Sequence, residues 1–376
     1  MSFSFFLMGF LFLPDLLWWW WADRRVRGRP VARALVALFA VAMAGYVLWM
    51  LLLPADARRS HRWMPVGGIA AIYLWHLLAL PLTLILAGIS GGVGLVRRRP
   101  PPTDPSRRSF LAAAAALLPP LLTGATAAYA LPRRGELRVR AFDVRVPSLP
   151  PALDGLSIAH VSDLHYGKFT TPGSIERLVA TVNGLRADLV LFTGDLVDLS
   201  LDDLPPAIAT LRRLDPGRGL FLCEGNHDLI DDGAEFRRGV REAGLALLGE
   251  EAASVEVRGA RVQILGSRWG RGDAERGASI ARTLHARDPD AFPILLAHHP
   301  HAFDDAAGVP LTLSGHTHGG LLMLNERLGA GPALYRYWSG LYRRGDRALV
   351  VSNGVGNWFP LRTHAPAEVV RLVLRT

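Results

Sequence analysis

Apolar residues are distributed along this chain in two regimes. Before residue 132 they form long blocks: Phe3–Trp21, Val31–Leu53, Val66–Val96 and Phe110–Leu131. Each block is about long enough to cross a bilayer, since roughly 20 helical residues span the hydrocarbon core. The pattern predicts an all-α transmembrane region over residues 1–131, built from about four helices. Pro14 and Asp15 interrupt the first block, and a charge at mid-membrane is expensive, so a re-entrant or interfacial segment is the alternative there. The run Trp18–Trp21 fits an aromatic belt at the membrane interface.

Beyond residue 132 the apolar runs are short and punctuated. Residues 132–151, rich in Arg and Pro, read as a linker with a first edge strand around Glu136–Val146. Residues 152–376 alternate strand-like runs with helical spacing and predict an α/β domain. Pro172–Arg186 places Ile175, Leu178, Val179 and Val182 on one helical face, and Pro205–Leu214, Ala234–Ala243 and Ala274–Ala286 are shorter helix candidates. Further strands are expected at Val255–Val257, Val262–Leu265, Leu349–Ser352 and Val369–Leu374.

Five strand-like runs end in side chains that suit a metal. Leu156–Val161 leads into Asp163 and His165, an i, i+2 pair that points one way on an extended segment. Leu189–Thr193 leads into Gly194-Asp195-Leu196-Val197-Asp198, and Leu220–Cys223 leads into Gly225-Asn226-His227-Asp228. Pro293–Ala297 leads into His298-His299-Pro300, and Leu311–Ser314 into Gly315-His316-Thr317-His318. The glycines allow a sharp turn just after a strand. Open α/β sheets place their ligands beyond the carboxyl ends of strands.

This ordered set (Asp-x-His, Gly-Asp-x-x-Asp, Gly-Asn-His-Asp, a later His, and Gly-His-x-His) resembles the calcineurin-like metallophosphoesterases. Within that family it looks most like the membrane-attached bacterial phosphodiesterases of the YkuE and YaeI type and their multi-pass relatives. The likeness runs from Leu156 to the C-terminus and implies a four-layer αββα sandwich with a dinuclear metal site. By resemblance, Asp163, His165, Asp195 and His318 hold one divalent ion, and Asp195, Asn226, His298 and His316 hold the other, with Asp195 as the bridge. The set has no thiolate, which favours Mn²⁺, Fe or Zn²⁺. The implied reaction is hydrolysis of a phosphodiester or pyrophosphate by a metal-activated hydroxide. His227 is then expected to face the leaving group as the acid, with Asp228 orienting it and Asp198 structural. Arg268, Trp269 and the loop Asn353–Arg362 are substrate-side candidates, and Asn325–Tyr342 is a candidate membrane-surface stretch or lid.

Charge adds topology. The net charge is +9, and the basic side chains are nearly all arginine, Lys168 apart, with many of them flanking the apolar blocks. That distribution argues for topology and contact with anionic lipid and only weakly for nucleic acid, so no nucleic-acid partner is expected. Arg24, Arg25, Arg27, Arg29 and Arg33 follow the first block, and Arg97, Arg98, Arg99, Arg107 and Arg108 follow the third. Only Arg58, Arg59 and Arg62 lie between the second and third blocks, so the positive-inside rule sends the C-terminal domain out of the cytoplasm. Ser106-Arg107-Arg108-Ser109-Phe110-Leu111 and the alanines after it resemble a twin-arginine signal spanning 106–130, which implies the twin-arginine export machinery as a partner. An Arg pair before an apolar helix also follows from topology alone. Ala128-Tyr129-Ala130 is a candidate cleavage site.

The expected setting is therefore the inner (plasma) membrane of a bacterium, with the bilayer as partner and a phosphoester substrate, a lipid headgroup being the class the tether favours. Two rivals stand beside this reading: a cytoplasm-facing UDP-sugar-lipid pyrophosphatase of lipopolysaccharide synthesis, and a non-catalytic, metal-stabilised membrane scaffold. His227 and Asp228 argue against the scaffold, because a purely structural site has no use for them. The single cysteine, Cys223, excludes an internal disulfide framework.

Overall fold

A computed structural model describes residues 3–52, 66–96 and 104–376. The chain divides into two compact units, Met1–Leu131 and Pro132–Thr376.

The first unit is all helical. Helices run over Phe3–Val26, Pro30–Leu52, Val66–Leu74, Leu80–Val96 and Pro105–Ala130, with a π-helical turn at Trp75–Ala79 joining the third to the fourth. Among the described residues, three segments are long and apolar enough to cross a membrane: Pro30–Trp49, Val66–Gly92 and Ser106–Ala130. Arg58, Arg59, Arg62, Arg97, Arg98, Arg99 and the prolines 100–102 lie outside the described residues.

The first helix carries its polar break inward. Asp15 is buried; Trp75 Nε1 donates to its Oδ1 at 2.7 Å, and His76 Nε2 lies 2.9 Å from its Oδ2. His76 Nδ1 sits 3.1 Å from the carbonyl of Ile72, which can only accept, so that nitrogen carries a proton. Trp75 and His76 open the π-turn, a widened turn that often marks an inserted interaction in a helix. The tryptophan run does not form a uniform belt: Trp18 is buried edge-on against Trp75 and Phe39, while Trp19 and Trp20 are exposed. Burial of Trp18 follows from facing the same side as Asp15 one helical turn away.

The second unit is built on two six-stranded mixed sheets. The first has the order β1 (Leu137–Arg145), β12 (Ala367–Arg375), β2 (Ser157–Val161), β3 (Leu189–Thr193), β4 (Leu220–Cys223) and β5 (Ala246–Leu247). The second has the order β10 (Gly340–Arg344), β11 (Arg347–Val351), β9 (Leu311–Ser314), β8 (Phe292–Leu296), β7 (Ala260–Gly266) and β6 (Glu251–Val257). One face of each sheet meets the other: Ile158, Leu189 and Leu191 share a core with Ile264, Ile294 and Leu313. The opposite face of the first sheet, with Val161, Val190 and Phe192, packs on the helices Pro172–Gly184, Leu204–Leu211 and Gly233–Glu242. The second sheet is backed by Asp273–His285 and Ala302–Asp305. The layers are thus α, β, β, α, the sandwich expected from the resemblance.

Local sequence explains the elements that carry the site. β3 is apolar at every position but its last, Thr193, because it is buried on both faces, as parallel inner strands are. Thr171 and Ser174 cap the helix that follows β2 in a reciprocal capping box, with Pro172 at its first position, and the helix buries the predicted Ile175, Leu178, Val179 and Val182. Segment 132–151, read as a linker with an edge strand, supplies β1, which pairs in parallel with β12 at the sheet edge. Asn325–Tyr342, read as one stretch, divides into a short helix, Ala330–Leu334, and the start of β10, an antiparallel partner of β11.

Candidate metal centre

The parallel strands β2, β3, β4, β8 and β9 all end at one place, and the polar residues that follow them converge there. Backbone bonds stitch the loops together: Asp163 N donates to Gly194 O at 2.9 Å and His165 N to Asp195 O at 3.0 Å. The Asp-x-His pair converges for a different reason from the one the sequence offered. β2 ends at Val161, and Asp163 and His165 both adopt left-handed backbone, with φ of 55° and 43°. Asp195, His316 and His318 do the same, so five of the nine non-glycine residues with positive φ among the described residues belong to the predicted site. Each such conformation costs on the order of 1–3 kcal/mol and persists only where surrounding structure enforces it. Gly315 shows what enforces it here: a Cβ there would lie 2.0 Å from Ser162 Oγ and 2.1 Å from Asp163 Oδ2.

Three groups of ligand atoms result, each within 4.8 Å: Asp163, His165 and His318; His165, Asp195 and His227; Asp195, His298 and His316. His318 Nε2 lies 3.2 Å from Asp163 Oδ1 and 3.0 Å from His165 Nε2. Asp195 Oδ2 lies 3.1 Å from His298 Nε2 and 3.4 Å from His165 Nε2, so this carboxylate reaches both sides of the cradle. Asn226 Oδ1 sits 2.9 Å from His316 Nδ1. All seven residues named as ligands from the sequence are therefore gathered in one place.

The donor set fits a divalent cation. His298 Nδ1 lies 2.6 Å from the carbonyl of Thr193 and must carry a proton, which leaves the lone pair of Nε2 facing the Asp195 carboxylate. That Nε2 is buried without a hydrogen-bond partner. A lone pair aimed at a carboxylate is repulsive unless a proton or a metal lies between them. Electrostatics agree: burial opposes charge on His298, yet Asp195 and Asp163 outweigh it and raise its pKa to about 9. Burial likewise opposes charge on His165, but Asp163, Asp198 and Asp195 raise it to about 10. Asp163, although buried, is held well below the usual carboxylate range by His318 and His298. Burial lowers His318 to about 4 and pulls His316 down as well.

Residues 156–320 match the family model described as calcineurin-like phosphoesterase. The chain carries, over residues 156–320, a stretch similar to the calcineurin-like phosphoesterases. It is 29% identical over 272 residues to a transmembrane protein with metallophosphoesterase domain from Danio rerio, an alignment covering 68% of this chain and 61% of that protein. It is 28% identical to the metallophosphoesterase YkuE of Bacillus subtilis, covering 61% of this chain and 82% of the relative. It is also 28% identical to the phosphodiesterase YaeI of Escherichia coli, covering 58% and 81%. The chain spans about three fifths of the length of the first curated relatives it matches.

Around the cradle, the roles of two aspartates differ from expectation. Asp228 does not touch the His227 ring. Its carboxylate accepts from the backbone N–H groups of Asp195, Leu196, Val197 and Gly225 at 2.7–3.1 Å, and so clamps two strand-end loops together. The ring of His227 turns the other way, with Nδ1 at 2.9 Å from Asp198 O and 3.2 Å from Asp198 Oδ1. Adjacency in Gly-Asn-His-Asp hid this, because successive side chains of a 3₁₀ turn, here His227–Leu229, diverge by about 120°. Asp198 is thus the carboxylate that orients His227.

Two aromatic rings flank the ligands. Trp269, named from sequence, packs on His298, His299 and His316 with centroids 5.0–5.7 Å apart. Trp358 lies 6.0 Å from the His227 ring and 6.4 Å from that of His318. Nothing in the sequence set Trp358 apart within the loop Asn353–Arg362. Arg268 is exposed, and His299 stacks on His301 and stands outside the ligand groups.

Proposed function

We propose that this protein is a membrane-anchored phosphoesterase that hydrolyses a phosphodiester or pyrophosphate bond on a pair of divalent ions. The observation that carries the reading is the cradle itself: two buried carboxylates, an amide oxygen and four imidazoles converge, with the His298 Nε2 lone pair facing Asp195 Oδ2 at 3.1 Å. Asp163, His165, Asp195 and His318 would hold one ion, and Asp195, Asn226, His298 and His316 the other. Mn²⁺, Fe and Zn²⁺ all suit oxygen and imidazole donors without thiolate. The metals supply positive charge beside phosphorus and a nucleophile at neutral pH.

The chain's own residues supply the rest. Asp163 and Asp195 are locked by backbone donors and hold the negative side of the cradle. His227 is fixed through Nδ1 by Asp198, which leaves Nε2 free to deliver a proton to the departing oxygen. Trp269 and Trp358 wall the cradle on two sides and give an organic substituent on phosphorus an apolar surface. The full chain, loaded with Mn²⁺ in detergent, is expected to turn over bis-para-nitrophenyl phosphate. His227→Ala should cut kcat by about 10²–10⁴-fold, the usual contribution of a general acid, with metal content unchanged. Two bound metals with no turnover of any phosphodiester would instead favour the scaffold reading.

The arginine distribution supports placing the phosphoesterase unit outside the cytoplasm of a bacterial plasma membrane, with 106–130 acting as an internal twin-arginine signal. Alkaline phosphatase fused after Thr376 should then be active in cells. A fusion that is silent while the corresponding cytoplasmic green reporter fluoresces would reverse the orientation and favour the cytoplasm-facing pyrophosphatase.

A further inference from the structure

Large apolar side chains are scarce on the surface of the unit Pro132–Thr376, and most of those present sit on one strap. Leu324 is 73% exposed, Leu328 58% and Leu334 71%; among the described residues of this unit only Val139 and Ile230 join them as exposed large hydrophobics. Single exposed leucines need no explanation, but a cluster does.

The strap is firmly built. Met323 is buried at its base, where Thr363 Oγ1 accepts from Met323 N at 2.7 Å and donates to Met323 O at 2.6 Å. Leu324 N donates to Leu328 O at 2.8 Å, and Asn325 Oδ1 accepts from the amides of Arg327 and Leu328, so both leucines project from a closed turn. The far end of the strap is fastened to the metal cradle. Thr317 Oγ1 donates to Trp338 O at 2.6 Å, and Tyr335, the neighbour of Leu334, meets the His316 ring edge-on at 6.0 Å. An exposed apolar rim therefore adjoins a ligand-bearing loop.

Its location has a second meaning. A cavity of about 280 Å³ is lined jointly by Arg138 and Arg140 of β1 and by Met323, Glu326 and Arg327 of the strap. The strap thus stands beside the strand through which the chain enters this unit. Only residues 131–136 separate that strand from Ala130, the last residue of an apolar helix able to cross a membrane. Arg327 and Arg336 are exposed on the same strap, where cations favour anionic headgroups.

We propose that this strap docks the phosphoesterase unit on the bilayer that anchors the chain. Leu324, Leu328 and Leu334 enter the boundary between headgroups and acyl chains, Arg327 and Arg336 meet anionic headgroups, and the phosphoester taken by the adjoining cradle is that of a lipid in the same membrane. The substrate clause rests on the phosphoesterase reading; the docking clause does not.

The test uses the full chain in nanodiscs of phosphatidylethanolamine and phosphatidylglycerol. Leu328→Cys, labelled with an environment-sensitive fluorophore, is compared with Glu256→Cys; Cys223 is buried and does not compete for label. The label at 328 should be quenched by doxyl lipid and protected from iodide, and the label at 256 should show the reverse. Equal iodide quenching at the two positions would overturn docking. The triple variant Leu324→Ser, Leu328→Ser, Leu334→Ser should lose about tenfold or more of its turnover of phosphatidyl-para-nitrophenol in nanodiscs while keeping bis-para-nitrophenyl phosphate turnover within about twofold, because only burial of apolar surface in lipid is removed. An equal fall on both substrates would reduce the strap to a prop for the cradle and sink the proposal. If the unaltered protein turns over neither substrate, the phosphoesterase reading fails, and quenching alone still decides docking.

Discussion

Asp195→Asn should lower kcat on bis-para-nitrophenyl phosphate by about a thousandfold or more, equivalent to about 4 kcal/mol of lost transition-state stabilisation, while the domain stays folded. The substitution is nearly isosteric, so the outcome turns on one atom. Asn keeps an oxygen to accept from His227 N, now bound to Oδ1 at 2.8 Å. At the other position an NH₂ donor replaces Oδ2, 3.1 Å from His298 Nε2 and 3.4 Å from His165 Nε2. That donor fills the lone pairs the imidazoles would otherwise offer to metal, and it removes a carboxylate oxygen that lies closer to both His298 and His165 than Asp163 Oδ1 does. The backbone should tolerate the change, since Asp195 has φ of 57° and asparagine adopts left-handed conformations more readily than most residues. Bound metal measured by mass spectrometry should fall together with turnover, and the melting temperature should change little. Retention of more than about a tenth of the activity would remove Asp195 from the bridging role, because loss of a true bridge is expected to cost far more.

What could be read from the chain follows from the kind of signal each feature leaves. The inner strands were legible because burial on both faces writes a continuous apolar run, as in β3, and strand ends were legible because the polar residue after such a run has few other reasons to be there. The helix Pro172–Gly184 announced its buried face. β10 and the two-residue β5 left almost no trace: β10 is a half-exposed edge strand closing a hairpin, so its composition is that of a loop. The candidate ligands could be named from order and residue type, but the geometry that gathers them could not. No pattern in Ser162–His165 reveals left-handed backbone at Asp163 and His165, since those angles are imposed by the packing of Gly315 and by bonds to the Gly194–Asp195 loop. The exchange of Asp228 for Asp198 as the partner of His227 has the same origin. Chain adjacency says which residues share a loop, and only the turn says which way each side chain leaves it.

Arg362 is the clearest case of a residue whose importance the chain does not show, and its replacement carries the second large effect. It sits in a loop, where solvation is the default expectation for arginine, yet it is fully buried. Its guanidinium donates to Asn357 Oδ1 at 2.6 Å, Asn353 O at 2.8 Å, Ala365 O at 3.1 Å and Gly356 O at 2.6 Å, and its Nη2 lies 2.9 Å from His318 Nδ1. Burial draws its pKa down to about 10, still well above neutrality, so the fork remains charged. One planar group thus ties the loop 353–365 to the back of the His318 imidazole. Arg362→Met removes the guanidinium donors from three backbone carbonyls and from Asn357 Oδ1, and breaking such a buried charged network costs roughly 3–5 kcal/mol. For a unit of this size that corresponds to a drop in melting temperature of about 10 °C. Arg362→Lys keeps the charge but cannot serve four acceptors from one ammonium, so it should fall between the two. Because His318 loses its support, Mn²⁺ affinity measured by calorimetry at a temperature where both variants are folded should weaken by about 10–100-fold, the usual cost of removing a group that orients a ligand. Unchanged metal affinity in a folded Arg362→Met protein would show that His318 is positioned by its own left-handed turn alone and that the buried arginine serves only the loop.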